Sequence, residues 1–201
     1  MSHSYFESYR QSCIERSIPC ITLATQDTLL PLLLQRRPHN CLEIGSAVGY
    51  SLCWTAATIQ SRWGYITGIE RSLPNIPEIQ HHIHTLQLHN VTIYNHSFLS
   101  KPIREYITLP LDWVLIDAMK SDYHQYLMSC WCHLADDAMV IIDDVIQFKN
   151  KIILLYKLLD ENQVHYQLLP LDDGDGIIVI DMSLNASIRN RPLQTNTLTS
   201  I

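Results

Sequence analysis

The sequence predicts an α/β fold: a doubly wound, seven-stranded, mostly parallel sheet with one antiparallel strand. Three observations predict it. Short apolar runs alternate with longer helical patterns from about residue 40 to residue 181, the pattern of β-α-β units on a parallel sheet. The runs at 112–117, 138–143 and 176–181 are almost continuously apolar, as strands covered on both faces are. Hydrophobic residues make up 47% of the 201 residues and charged ones 17%, below the ~25% of an average soluble protein, so there is material for one large core.

In chain order, two helical segments at about 4–17 and 25–36 come first, separated by Ser17-Ile-Pro-Cys-Ile21. They are too short to form a domain and are expected to flank the strand ends. Strands follow at 41–45, 65–69, 91–94, 112–117, 138–143, 164–168 and 176–181, with helices between them at about 50–62, 75–88, 101–107, 121–134 and 147–162. Pro74 and Pro77 mark the start of the second of these helices, where first-turn amides lack partners in any case. Asp172-Asp-Gly-Asp-Gly176 is hairpin chemistry between the last two strands and predicts the antiparallel one. Residues 1–181 are expected to be one domain with N-terminal flanking helices at 1–37. Residues 182–201, without Asp or Glu after Met182, are expected to be a polar mobile tail.

The formal charge of −6 argues against indiscriminate nucleic-acid binding. The longest aliphatic stretch, Leu29 to Leu34, is interrupted by Pro31 and far shorter than the ~20 residues of a membrane span. The first residues show no basic segment leading into an apolar one, so the expectation is a cytoplasmic protein without membrane association. The six cysteines have no C-x-x-C pairing and are expected to be reduced and mostly buried.

The first chemical signal is Leu42-Glu-Ile-Gly-Ser-Ala-Val-Gly-Tyr-Ser51, where a strand ends at Gly45 and a helix begins after Gly49. Ligands of open α/β sheets bind outside the carboxyl ends of the strands, so this turn faces one. A dinucleotide fold would require G-x-G-x-x-G to approach a pyrophosphate, whereas here Ser46, Ala47 and Val48 separate only two glycines. Glu70 ends the second strand, the position from which a carboxylate accepts both ribose hydroxyls. Adenosine without pyrophosphate points to S-adenosylmethionine.

The second signal is acidic. Asp117 ends the fourth strand and Asp143-Asp144 the fifth, beside the topological switch point. Three adjacent carboxylates call for a cation, and an all-oxygen donor set favours a hard ion such as Mg²⁺ or Ca²⁺. Lys120, three residues past Asp117, would be pushed towards the neutral amine beside such an ion and is a candidate general base.

These motifs, Glu43 to Ser51, Ile69-Glu-Arg71, Ile116-Asp-Ala-Met-Lys-Ser-Asp-Tyr123 and Ile141-Ile-Asp-Asp-Val145, resemble those of cation-dependent catechol and caffeoyl-CoA type O-methyltransferases. The resemblance covers about residues 17–181 and implies a Rossmann-like class I methyltransferase fold. Ile18-Pro-Cys-Ile21, the following helix with Leu29-Leu30 and the glycine motif look most like the bacterial tRNA 5-hydroxyuridine methyltransferases. By position, Glu43, Gly45 and Ser51, with Ser46 and Gly49 of the same turn, would hold the methionine part of the cofactor. Glu70 would hold the ribose, and Ser97 with Phe98 the adenine. Asp117, Asp143 and Asp144 would bind the divalent cation, most simply Mg²⁺, and Lys120 would be the base, with Asp117 serving catalysis, cofactor and metal together. The implied acceptor is the 5-hydroxyl of a wobble 5-hydroxyuridine in tRNA, with a small catechol-like or other hydroxylated molecule as the alternative. The resemblance leaves room for a homodimer. Asp144 stands where the family usually has Asn, Asn95-His96-Ser97 where it often has Gly-Asp-Ala, and Ala135-Asp-Asp-Ala138 replaces its Pro-Gly-Gly turn.

Weaker features read as structural. His81, His82 and His84 lie on an outer helix and are expected to be solvated; the four tryptophans are expected in the core. Arg36-Arg37 and Lys149-Asn-Lys151 are the short basic clusters near the expected mouth. A rival reading, a non-catalytic adenosylmethionine-binding protein, would need a broken base or metal site, and the sequence keeps both.

Overall fold

The structure is a computed structural model that describes residues 3–105, 107 and 110–195. Its strands are β1 (Asn40–Ile44), β2 (Tyr65–Glu70), β3 (Val91–Asn95), β4 (Leu111–Ile116), β5 (Leu134–Ile142), β6 (Gln167–Pro170) and β7 (Gly176–Asp181). Its helices are α1 (His3–Glu15), α2 (Leu23–Arg36), α3 (Tyr50–Ile59), α4 (Ile76–Thr85), α5 (Tyr123–Trp131) and α6 (Ile153–Glu161). The strands form one sheet in the order β3-β2-β1-β4-β5-β7-β6. Neighbours from β3 to β5 are parallel, while β7 is antiparallel to both β5 and β6. The antiparallel strand is the one expected, but it lies inside the sheet with β6 outside it. The tight turn at 171–175 returns the chain directly from β6, and β7 takes the place beside β5.

Odd and even strand positions serve different layers, as the two-residue period of a strand requires. Leu42, Ile44, Val114, Ile116, Val140, Ile142, Ile178 and Ile180 face a core completed by α5 and α6. Cys41, Trp113, Leu115, Met139, Ile141, Ile177 and Val179 face the other core, completed by α1 to α4. Nearly continuous apolar strands were the sequence's sign of this burial. Trp54, Trp113 and Trp131 are core residues, whereas Trp63 is exposed. Among the described residues no helix is long and apolar enough to cross a membrane.

Several expectations change in three dimensions. The helix expected at 101–107 is reduced to 3₁₀ turns at Phe98–Ser100 and Ile103–Glu105. Pro102 and the short span leave too few residues to repay helix nucleation. Residues 135–138, expected as a turn, lie within β5, beside a register irregularity opposite Leu111 and Trp113. His82 is not on a solvated face: it stacks on Tyr9 with ring centroids 3.6 Å apart and shares a 2.7 Å hydrogen bond with Tyr5, docking α1 on α4. Arg36 pairs with Asp181, and Arg37 ends α2 just before β1. That basic cluster therefore lies at the end of the sheet opposite the ligand mouth.

The expected mobile tail is corrected over residues 182–195; the remainder, 196–201, lies outside the described residues. Met182, Ile188 and Leu193 are buried in the α5–α6 core. Asn185 Nδ2 donates to the carbonyl oxygens of His165 and Asp181, and its Oδ1 accepts from His165 N. Absence of acidic residues signals little about packing when widely spaced apolar residues find a groove. Ile188→Ala and Leu193→Ala should each cost about 2–4 kcal/mol in urea unfolding, whereas a mobile segment would show no change beyond about 0.5 kcal/mol.

Candidate active site

The register of four parallel strands assembles the site. Ile69, Ile44, Ile116 and Ile142 are paired across β2, β1, β4 and β5, so each strand ends on the same rung. The next residues continue the ladder. Gly45 N donates to Ile69 O at 2.9 Å, Asp117 N to Ile44 O at 3.0 Å and Asp143 N to Ile116 O at 3.0 Å. Glu70, Gly45, Asp117 and Asp143 thus stand side by side without any long-range side-chain contact being needed to gather them.

Gly45 must be glycine. Its φ is +92°, and a Cβ there would lie 2.2 Å from the Asp117 carbonyl oxygen. The chain turns past it into α3, and Ala47 N donates to Glu70 Oε2 at 2.8 Å while Ser72 N donates to Oε1 at 2.6 Å. Both Glu70 oxygens are thereby aimed by backbone, and each keeps a lone pair for a ligand hydroxyl. Beneath the turn, Glu43 is fully buried on the α3 side and accepts from Ser51 Oγ at 3.1 Å. Its Oε2 and the Ser46 Oγ are buried atoms with no hydrogen-bond partner. Burial raises the Glu43 pKa to about 8 against the smaller opposing influence of Ser46 and Ser51. A neutral carboxyl with one free oxygen is therefore stored next to the glycine turn.

Across the rung a cation sits among the acids, and it is Lys120. Its Nζ lies 2.7 Å from Asp117 Oδ1, 2.6 Å from Asp144 Oδ2 and 2.7 Å from Tyr123 Oη. Tyr123 is fully buried and donates to Asp143 O at 3.1 Å, so it ties Lys120 to the end of β5. Burial works against the Lys120 charge, but Asp117 and then Asp144 outweigh it, and its pKa is raised. The expected push towards a neutral amine is thus reversed here. Asp143 is buried, and its pKa is driven up first by burial and then by Asp117 and Asp144. Its Oδ1 accepts from Asp144 N at 3.0 Å, and Asp144 adopts a φ of +58°. The loop after β5 is pinned by Asp175, whose Oδ1 accepts from Ile146 N at 2.9 Å and Gln147 N at 3.1 Å.

The two halves open into one cavity of about 650 Å³. Of the residues expected from sequence, Gly45, Ser46, Ser51, Glu70, Ser97, Phe98, Asp117, Lys120 and Asp144 line it. Glu43, Gly49 and Asp143 lie behind that lining. Tyr126, which meets Phe98 edge to face at 5.9 Å, forms the wall with it and suits a flat ring. Arg71 and Lys151 also line the cavity, so the second basic cluster does reach the mouth. Tyr123, Asp175 and Tyr126 were missed by sequence reasoning. Tyr123 carried a signal, its spacing of three from Lys120, while Asp175 looked only like a turn residue.

The acids do not fit a resident dication as they stand. Among the described residues no three acidic, histidine or cysteine side chains are gathered to hold an ion. The Lys120 ammonium lies between Asp117 and Asp144, and one Asp143 oxygen is engaged by Asp144 N.

A family model described as a methyltransferase domain matches residues 42–145, from the glycine turn to the end of the acidic pair. The chain belongs to the methyltransferase domain family. Solved structures with the same fold include an O-methyltransferase from Bacillus cereus in complex with SAH, at TM-score 0.77 and 21% identity over 90% of this chain and 91% of that one. Another is the O-methyltransferase TomG from Streptomyces achromogenes, involved in tomaymycin synthesis and in complex with SAM, at TM-score 0.75 and 19% identity over 91% and 92%. SAH-bound methyltransferase PaMTH1 from Podospora anserina matches at TM-score 0.75 and 17% identity over 88% and 85%.

Burial of Glu43 gives this methyltransferase a pH signature. Its folded value of about 8 lies above the unfolded ~4.3. The contribution to stability is full below the unfolded value, declines as the unfolded chain ionises, and is lost once pH passes the folded value. Between pH 5 and 8, ligand-free wild type should lose on the order of 3–5 kcal/mol relative to Glu43→Gln in urea unfolding. Parallel pH profiles for the two proteins would show that Glu43 is ionised in the native state.

Proposed function

We propose that this methyltransferase moves the methyl group of S-adenosylmethionine to an oxygen of its acceptor. The observation that carries the reading is the single cavity with an aimed carboxylate and glycine turn at one end and the Lys120 cluster at the other. The names of two similar structures, O-methyltransferases in complex with SAH and with SAM, support it. Glu70 takes the ribose hydroxyls on its free lone pairs, and Phe98 with Tyr126 encloses the adenine beside Ser97. The free oxygen of Glu43, with Ser46, Gly45, Gly49 and Ser51, receives the amino acid part, whose ammonium favours the ionised carboxylate.

The cofactor supplies an electrophilic sulfonium methyl. The chain's own residues supply orientation and charge. Lys120 Nζ turns one of its three N–H groups from Asp144 to the acceptor oxygen and stabilises it as it becomes an oxyanion, and the hydroxyl proton passes to the Asp144 carboxylate so released. Tyr123 and Asp175 hold that cluster in place. The one cavity holds the acceptor oxygen between that cluster and the cofactor's methyl group, so the oxyanion attacks in line.

The acceptor proposed is the 5-hydroxyl of a wobble 5-hydroxyuridine in tRNA. It is supported by the resemblance of residues 17–51 and by Arg71 and Lys151 on the cavity wall, positioned to meet phosphates. The formal charge of −6 favours the second reading, a small catechol-like phenol.

Purified protein with labelled S-adenosylmethionine and either bulk tRNA or a catechol panel tests the reaction. Transfer to tRNA should weaken steeply with salt, and transfer to a neutral phenol should not. Glu70→Ala should weaken cofactor binding by about 1–3 kcal/mol, and Lys120→Ala should remove most of the rate while leaving cofactor affinity within about threefold. Turnover in excess chelator tests the divalent cation that the motifs imply. Loss restored by Mg²⁺ would mean that the Lys120 ammonium yields its place between the acids to the ion.

A further inference from the structure

α2 buries one face and leaves the opposite face apolar. Thr25, Leu29 and Leu33 are buried, whereas Leu23, Leu30 and Leu34 are between 37% and 50% exposed. With the exposed Asp27, these leucines follow the 23, 27, 30, 34 spacing of a single helix face. Among the described residues no other helix has more than one exposed large apolar side chain. A fourth apolar group stands at the end of the stripe. Arg62 Nη1 donates to Leu34 O at 2.7 Å, and a Cβ on Gly64 would lie 2.6 Å from Pro38 O, so Trp63 between them stands beside the last turn of α2. Trp63 is 90% exposed. An indole held in open water next to a row of leucines is the kind of side chain that anchors protein interfaces.

Two charges frame the stripe. Asp27 comes three residues before Leu30, and Arg37 three residues after Leu34. Both are exposed, and among the described residues neither has an ion-pair partner. That spacing is symmetric. When two copies of α2 lie antiparallel about the midpoint between Leu30 and Leu34, Leu30 of each meets the partner's Leu34, and Asp27 of each meets the partner's Arg37. Leu23 then reaches past the end of the partner's helix, towards the partner's Trp63. A parallel pairing would instead set like charges against each other. The antiparallel one also opposes the two helix dipoles.

We propose that this face joins two copies of the chain into an isologous dimer, with Leu23, Leu30, Leu34 and Trp63 as its apolar contact and Asp27–Arg37 ion pairs fixing its register. The occupant is a second copy because the face is complementary to itself: each charge finds its opposite, and each leucine an apolar group, on an identical surface. One 14-residue helix and one indole from each copy make a small contact. The expected dissociation constant is therefore on the order of 10 μM, weaker than that of an obligate dimer. α2 also reaches the cavity wall, where Gln26 Oε1 accepts from Tyr50 Oη at 2.8 Å, so pairing braces a helix that supports the candidate active site.

Sedimentation velocity of the full-length wild-type protein from about 1 to about 200 μM should show a monomer–dimer equilibrium. Trp63→Ala and Leu30→Glu should each weaken association at least about tenfold. Asp27→Arg and Arg37→Asp should each weaken it about fivefold, and the double variant, in which opposite charges face each other again, should return to within about threefold of wild type. All four positions are exposed, and thermal melts establish that the variants are folded. A monomer over the whole range would leave this face to a different partner and overturn the proposal. So would a dimer that Trp63→Ala leaves intact, or single charge variants that the double variant fails to rescue. None of these readings depends on whether the protein methylates anything.

Discussion

The candidate active site depends on four parallel strands ending on one rung. Ile69, Ile44, Ile116 and Ile142 are cross-strand partners, and the backbone ladder runs one residue beyond them. Side chains alternate between faces, so a one-residue slip of β4 or β5 would turn Asp117 or Asp143 to the other layer and bury the wrong set of apolar residues. The two cores enforce the register from both sides. Hydrophobic burial thereby sets the position of polar groups that it never touches.

The same burial shapes the charges. At one end Glu43 is stored neutral with an unpartnered oxygen, a group that gains a partner only when a ligand brings a donor or cation. At the other end Lys120, Asp117 and Asp144 form an ion cluster that offsets its own desolvation cost. A buried charge set of this kind contributes little to net stability, since desolvation consumes most of the Coulomb gain. In the proposed reaction it presents oriented charge in a low-dielectric cavity, where the same charge acts more strongly on a reacting oxygen than it would in water.

Much of the architecture was legible because its signals are local. The continuous apolar runs identified buried strands, the glycine turn located the first ligand loop, and hairpin residues located the reversal before β7. Glu70, Asp117 and Lys120 were legible as cavity residues for the same reason: Glu70 ends β2, Asp117 follows β4 and Lys120 lies in the loop after it, and a strand end of an open α/β sheet faces a ligand by construction. Local pattern failed where a long-range partner decides. Residues 182–195 look like a tail until Ile188 and Leu193 find the α5–α6 core, and His82 looks solvated until Tyr9 stacks on it.

The sequence by itself determined the fold class, the strand ends that carry the site and the residue types that stand there, because periodicity and turn chemistry act over a few residues. Only the tertiary structure decided what those residues do to one another. It placed β7 inside the sheet, put the Lys120 ammonium between Asp117 and Asp144 rather than beside them, and packed Ile188 and Leu193 into the α5–α6 core. Burial and pairwise electrostatics depend on distances between residues far apart or on reversed stretches of chain, and no spacing along the sequence encodes those distances.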